Sequence, residues 1–370
     1  MNSIQPRLSI IVPAHQAADL LPDTLGALRA SGSPGITWEL IVVDDGSRDG
    51  TGEVAARFAD RVVKLDGPPG GPAGARNAGA AVAGGEWLLF VDADVRVRID
   101  TLRAFWHSIE VHPSVSTIFG TYDAAPAAPG LVSRYRNLLH RYVHLRGAGP
   151  AETFWGGLGG MRAELFRQVG GFDTSRYARP QIEDIEFGYR LRDAGATILL
   201  DPSIQGTHLK GWSFARMAVT DFRDRALPWM RLILEGRRRG AMTLNIAWRE
   251  RLKVGIAGSA IGALLGAVVL ADPRLAWLAL ALTAVLAASN LTVYRWFARE
   301  QGGRFALAVL PLHLWYYFSN AVAAGVAVLA HVGGRLWSWL FSARGRPEPG
   351  RGSAQRSILP ESAGSSGPTP

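Results

Sequence analysis

Asp92 and Asp94 stand either side of one alanine, directly after the apolar run Trp87-Leu88-Leu89-Phe90-Val91. Two carboxylates one residue apart at the end of a buried strand can hold a hard divalent cation. Mg²⁺ and Mn²⁺ take oxygen ligands and commonly share them with substrate phosphates. A metal there neutralises charge building on a departing diphosphate. The same pattern also describes a strand-end turn with two solvated acids. Asp44-Asp45-Gly46-Ser47 ends another apolar run, Leu40-Ile41-Val42-Val43. A carboxylate at that place can accept hydrogen bonds from a nucleobase or a ribose, or it can close an Asx turn and cap a helix. Gly74-Ala75-Arg76-Asn77-Ala78-Gly79 opens a helix. Its small residues permit close backbone approach, Arg76 can meet a base carbonyl or a phosphate, and a helix N-terminus favours anions. The bland alternative is a small-residue helix packed on a sheet. Glu183-Asp184 precedes a helix that holds Arg190 and Arg192. An acid there can take a proton from a hydroxyl, or it can simply complement the helix dipole.

The elements that must position these residues are legible from apolar period and punctuation. Leu8 to Val12, Glu39 to Val43, Arg61 to Leu65 and Trp87 to Val91 read as strands, the first stopped by Pro13. Helical spacing covers Asp19 to Arg29, about Gly50 to Phe58, and Ala75 to Ala83 after a Gly/Pro-rich loop. Strands alternating with helices predict an α/β fold with a mostly parallel sheet and helices on both faces. Ligands in such sheets bind beyond the carboxyl ends of the strands, where both acidic clusters fall. The stretch Ile99 to Arg146 reads as helical, with a short strand at Val115 to Gly120. Phe154 to Gly160 is a glycine-rich loop or strand, and Glu183 to Ala194 a helix. Ser213 to Leu234 interleaves apolar and basic residues at helical spacing, as an interfacial amphipathic helix or an ordinary surface helix would.

The chain has 370 residues, 48% of them hydrophobic and 19% charged, enough for one large domain and something more. Its cysteine count of zero excludes disulfides, thiolate metal sites and cysteine nucleophiles. The net charge is +9, and no nucleic-acid motif accompanies it. The basic residues gather at Arg237 to Arg239, Arg249 to Lys253 and beyond Arg335, flanking apolar segments, which points to a membrane surface. Val254 to Ala271, Leu275 to Tyr294 and Phe305 to Val332 each approach or exceed the roughly 20 residues that span a bilayer. They predict about three transmembrane helices. The expected organisation is a catalytic domain over 1–236, a basic linker over 237–253, a transmembrane region over 254–341 and a disordered tail over 342–370. Arginines before the first span and at Arg295, Arg299 and Arg304 favour a catalytic domain on the cytoplasmic face. No signal peptide is expected, since Leu8 to Val12 is too short for one.

Taken in order, Val12-Pro13, Asp44-Asp45-Gly46-Ser47, Ala75-Arg76-Asn77-Ala78-Gly79, Asp92-Ala93-Asp94 and Glu183-Asp184 resemble the inverting family-2 glycosyltransferases with the GT-A fold. The resemblance runs from about Leu8 to Trp229. Phe154-Trp155-Gly156-Gly157 and Gly170-Gly171-Phe172-Asp173 match the family's acceptor half. It implies that Pro13 starts the nucleotide pocket, that Asp45 contacts the base (typically uracil) with support from Asp44, and that Arg76 lies near the base or diphosphate. Asp94 is then the main metal ligand, for Mg²⁺ or Mn²⁺, with Asp92 near the ribose or metal. Asp184 is the general base and Glu183 shapes the acceptor site, alongside Trp155, Gly156, Gly157 and Trp212. His208 is either a further metal ligand or a buried structural histidine. Arg223 to Trp229 matches the Q-x-x-R-W motif of the processive synthases poorly, which implies a non-processive enzyme. The donor is a nucleotide sugar, UDP-linked by preference, and the apolar segments imply a lipid or lipid-linked acceptor. Two alternatives are a catalytically degenerate membrane scaffold and a sugar nucleotidyltransferase. The latter expects a glycine-rich basic loop where Pro13-Ala14-His15-Gln16-Ala17 stands.

Overall fold

The computed structural model describes residues 5–32, 34–177, 179–236 and 248–342. Arg237 to Arg239 and the tail from 343 onward lie outside the described residues. Leu8–Ala14 (β1), Trp38–Asp45 (β2), Arg61–Leu65 (β3) and Trp87–Val91 (β4) run parallel in the order β3-β2-β1-β4. Every residue of β1 is buried, which explains its unbroken apolar run: a parallel strand is covered on both faces. Leu8, Ile10 and Val12 pack on one side with Leu21–Ala30 (α1), Thr51–Ala55 (α2) and, later in the chain, Thr101–Val111. Ile11 packs on the other with Gly71–Val82 (α3).

The second half of the sheet is mixed. Val95–Val97 (β5) is followed by the helix at Thr101–Val111 (α4), Thr117–Tyr122 (β6), the helix Leu131–Arg146 (α5), Gly149–Ala151 (β7) and Leu158–Arg162 (β8). Ala163–Val169 (α6), Glu183–Asp193 (α7) and Ile198–His208 (β9) complete it. The order continues β4-β8-β6-β9-β5, with β7 on β9, so the described residues form a nine-stranded sheet. β5, β7 and β9 add to the strands expected from the sequence. β9 is broken by Asp201-Pro202-Ser203, where its register against β6 shifts between Phe119 and Thr121, and a proline inside a run disguises a strand.

Ser213 to Leu234 is continuous helix, as expected, built from Phe214–Val219 (α8), a π-helical stretch Thr220–Ala226 and Leu227–Leu234 (α9). The helix Trp248–Val269 (α10) begins inside the stretch expected as linker. Leu275 to Tyr294 is not one straight helix. Pro273–Ser289 (α11) and Leu291–Gln301 (α12) meet at a 55° bend. The bend falls at Asn290, whose side-chain nitrogen donates to the Leu286 carbonyl and whose Oδ1 accepts from Lys253 and Tyr317. Gly303–Ser342 (α13) is the last helix. Among the described residues, two helices are long and apolar enough to cross a membrane, or three if the bent pair counts as one span. α12 is amphipathic and lays Val293, Tyr294 and Phe297 against Tyr135 and Leu138 of α5, so the apolar helices pack directly onto the α/β domain. By compactness the chain divides after Val328; from Leu329 the described part is the end of α13.

Candidate functional site

The carboxyl ends of β1, β2 and β4 lie side by side, because β1 pairs in register with both neighbours. Pro13 is buried within β1, opposite Val43. Asp44 turns its Oδ1 to the Ser47 N–H at 3.0 Å, the Asx turn that its sequence allowed. Asp45 is buried and accepts from the Gly70 and Gly71 N–H groups at 3.0 and 2.8 Å, which ties β2 to the start of α3. Its backbone carbonyl meets His15 Nδ1 at 2.7 Å. Both aspartates thus shape the rim where a base would lie.

Arg76, on α3, is the hub. Nη1 donates to Glu183 Oε1 at 3.0 Å and Nη2 to Asp92 Oδ1 at 2.7 Å, while the side chain is only 3% exposed. The sequence left Arg76 beside a base or a diphosphate. Here two carboxylates already hold it, because its burial must be compensated by fixed opposite charge. Burial works against its charge, but Asp92, Glu183 and Asp184 outweigh that and raise its pKa above the ordinary arginine value.

Glu183 and Asp184 enter from the first turn of α7. Glu183 also accepts from the Gln181 N–H at 2.9 Å. Asp184 accepts from the Gly156 N–H at 3.2 Å and from the Ile185 N–H at 2.8 Å. Burial first, and Glu183 second, push its carboxyl from 3.8 up to about 7. Gly156 is required by close approach: a Cβ there would stand 2.9 Å from Arg76 Cζ. The Gly157 carbonyl accepts from the Asp92 N–H at 3.0 Å. The Trp155-Gly156-Gly157 loop therefore stitches α3, α7 and the end of β4 together.

Pairing of β5 with β9 sets Val95 opposite His208. That register delivers His208 Nε2 to within 3.5 Å of Asp94 Oδ2. Burial would raise the Asp94 carboxyl, but the bond and charge of His208, with Lys210, hold it below 3.8. Asp92 is raised instead, by burial and by Asp94, against the pull of Arg76. Among the described residues, Asp92, Asp94, Glu183 and Asp184 crowd one rim, and Arg76, His208 and Lys210 are the basic groups that act on them most. Such a site repels a diphosphate unless a cation accompanies it. Among the described residues no three His, Asp or Glu side chains converge to hold an ion by themselves. One carboxylate and one imidazole do converge, and that donor set fits a divalent ion whose remaining positions are filled by substrate oxygens and water.

Trp155 packs against Tyr122, His140 and His144, with ring centroids 4.9, 4.7 and 5.4 Å away, and Tyr122 lies 5.0 Å from the His208 ring. This aromatic wall adjoins the acidic cluster. Sequence reading named Trp155 and His208 but missed Tyr122, His140 and His144. The signal lay in the four-residue spacing of Arg136, His140 and His144 along α5, which puts all three on one helical face. Burial keeps both histidines neutral, His144 at about 4. Trp212 is not brought to the carboxylates. It packs with the Tyr135, Phe297 and Val309 cluster, and Arg136 stands over its ring at 4.0 Å.

Residues 9–170 match the family model described as Glycosyl transferase family 2. The succinoglycan biosynthesis protein ExoO of Rhizobium meliloti is 39% identical over 101 residues, 26% of this chain and 28% of that protein. The dolichyl-phosphate beta-glucosyltransferase ALG5C of Trichomonas vaginalis is 37% identical over 102 residues, 25% of this chain and 30% of that one. The aligned stretch therefore spans less than a third of either relative. Among solved structures, the mannosyltransferase PcManGT of Pyrobaculum calidifontis, in complex with GDP-Man and Mn²⁺, superposes with a TM-score of 0.51 at 19% identity, over 87% of this chain and 88% of that one. That likeness shows the fold, GT-A.

Proposed function

Because residues 9–170 are a glycosyl transferase family 2 domain, we propose that the chain transfers a sugar from a nucleotide-diphosphate donor to a lipid or lipid-linked acceptor, with inversion. The observation that carries this reading is two carboxylates of opposite tuning, each linked by charge to Asp92. Asp184 is raised to about 7, while Asp94 is held low beside His208. Environments that push acids apart assign them different work.

Asp184 takes the proton from the acceptor hydroxyl as that oxygen attacks the anomeric carbon, since a carboxylate titrating near neutrality is an effective base. The bond from carbon to the donor diphosphate breaks in the same displacement, which inverts the centre. The Gly156 N–H fixes the orientation of Asp184. Arg76 holds Glu183 and Asp92 in place beside it. Mg²⁺ or Mn²⁺, held by Asp94 and His208 with Asp92 at hand, would stabilise negative charge on the leaving diphosphate. PcManGT, whose fold is similar, was solved with Mn²⁺ and a nucleotide sugar, which supports this requirement. Asp45 and Pro13 form the base side of the donor pocket, with a UDP-sugar preferred. The name of the Trichomonas relative, a dolichyl-phosphate glucosyltransferase, together with α10 to α13, supports a lipid-borne acceptor and an integral membrane enzyme. Arg249, Arg251 and Lys253, with Arg295, Arg299 and Arg304, favour a cytoplasmic catalytic face.

Asp184→Asn tests the base directly. Transfer should fall by about 10²- to 10⁴-fold, while the nucleotide diphosphate binds as before by calorimetry. Near-normal turnover in that variant would remove Asp184 from the mechanism.

A further inference from the structure

The face of α5 that carries His140 and His144 also carries Arg136, one turn earlier. Arg136 donates from Nη1 to Asp221 Oδ1 at 2.6 Å and stands over Trp212. Its side chain is 10% exposed, and its Nη2 is buried without a hydrogen-bond partner. A buried guanidinium nitrogen with no acceptor carries a desolvation cost that a ligand can relieve. Asp221 lies near the start of the short π-helical stretch, and Arg225 follows it four residues later. Arg225 is exposed and has no ion pair with any described residue. It acts on Arg136, on His140 and on Tyr122 from one position. Burial and Arg225 together draw Arg136 down to about 10. Arg136 therefore has one carboxylate partner, Asp221, and a second guanidinium charge acting on it. π-Helical turns recur where function requires such local rearrangement.

Phe222, next to Asp221, lines a cleft of about 290 Å³ with Ala218, Trp315, Phe318, Ser319 and Val322. One wall belongs to α8 and the π-helical turn, the other to α13, one of the two helices fit to cross a membrane. Except at Ser319, the residues that line it are apolar. A soluble anion has no use for this cleft, and a hydrocarbon has none for two guanidinium groups.

We propose that Arg136, Arg225 and the Phe222–Trp315 cleft form the docking site of a lipid that carries a phosphate head, with the anion between the guanidinium groups and the chain in the cleft. This rests on the transferase reading, for which it names the acceptor class. The phosphate is a handle held by charge-assisted hydrogen bonds, while the hydroxyl that attacks is the one facing Asp184. Tyr122 of the aromatic wall is acted on both by Asp94 and Asp92 and by Arg225 and Arg136.

Full-length protein in nanodiscs of phosphatidylcholine should bind a polyprenyl monophosphate and not the matching polyprenol. Inorganic phosphate at millimolar concentration should not displace it. Arg225→Gln, an exposed position, and Ala218→Trp, which fills the cleft, should each weaken binding by about 10-fold or more. Both should bind nucleotide diphosphate as wild type does. Equal binding of the alcohol, displacement by inorganic phosphate, or wild-type affinity in both variants would overturn the site. Absence of nucleotide binding in the wild-type chain would instead strike the transferase reading, and leave the lipid result to judge this site separately.

Discussion

The charge of Asp184 is expensive to keep, which is what would suit it to the proposed role of base. Burial and the neighbouring Glu183 raise its carboxyl from 3.8 to about 7. The folded chain therefore holds that proton more tightly than the unfolded one does. The resulting stability is complete below about pH 4 and is lost as pH rises through 7. Asp184→Asn removes the titration, so its thermal midpoint should lie several degrees above wild type at pH 8. That gap should close as pH falls towards 5, and an equal gap at both pH values would contradict the burial account. At this scale the sequence was informative about placement, setting Asp92 and Asp94 just past the end of β4 and Asp184 in the first turn of a helix. It was not informative about Arg76. A residue that faces a ligand and one that neutralises two neighbouring acids have the same letter, and only the approach of α7, 107 residues away, distinguishes them.

The elements explain how distant acids come to share one space. α3 supplies the hub Arg76, α7 supplies Glu183 and Asp184, and the Trp155-Gly156-Gly157 loop closes over both. Gly156→Ala tests that closure. The added Cβ would meet Arg76 Cζ at 2.9 Å, and Arg76 cannot retreat while two ion pairs hold it. The expected cost is about 1–3 kcal/mol of stability, read as a lower thermal midpoint, with transfer reduced through displacement of the Gly156 N–H from Asp184. Wild-type midpoint and rate in this variant would show that the loop yields freely. The four parallel strands were legible because full burial writes a continuous apolar run. β9 was not, because Asp201-Pro202-Ser203 reads as a turn although it is a bulge between two paired halves. That omission also hid why His208 reaches Asp94: the β5–β9 register is a tertiary fact with no local pattern behind it.

Over the whole molecule, the apolar helices are bound into the α/β domain. α5 carries the aromatic wall and Arg136 on one face, and Tyr135, Leu138 and Tyr142 on the other against α12 and α13. The amphipathic α12, expected as the end of a straight span, turns at Asn290 to make that contact. A chain ended at Gly236 would leave Tyr135, Leu138 and Met217 without Phe297, Phe305 and Val309, an apolar patch that soluble proteins rarely expose. It should self-associate on size exclusion in the absence of detergent, and a monodisperse monomer would show that α5 does not depend on these helices.

The measurement that bears most directly on the central claim is nucleotide release by the purified full-length chain. UDP-, GDP- and dTDP-sugars would be offered with Mg²⁺ or Mn²⁺, beside Asp94→Ala. The account predicts release from one donor, a UDP-sugar by preference, that needs the metal and disappears in the variant. Release that persists without metal, or in Asp94→Ala at the wild-type rate, would contradict it.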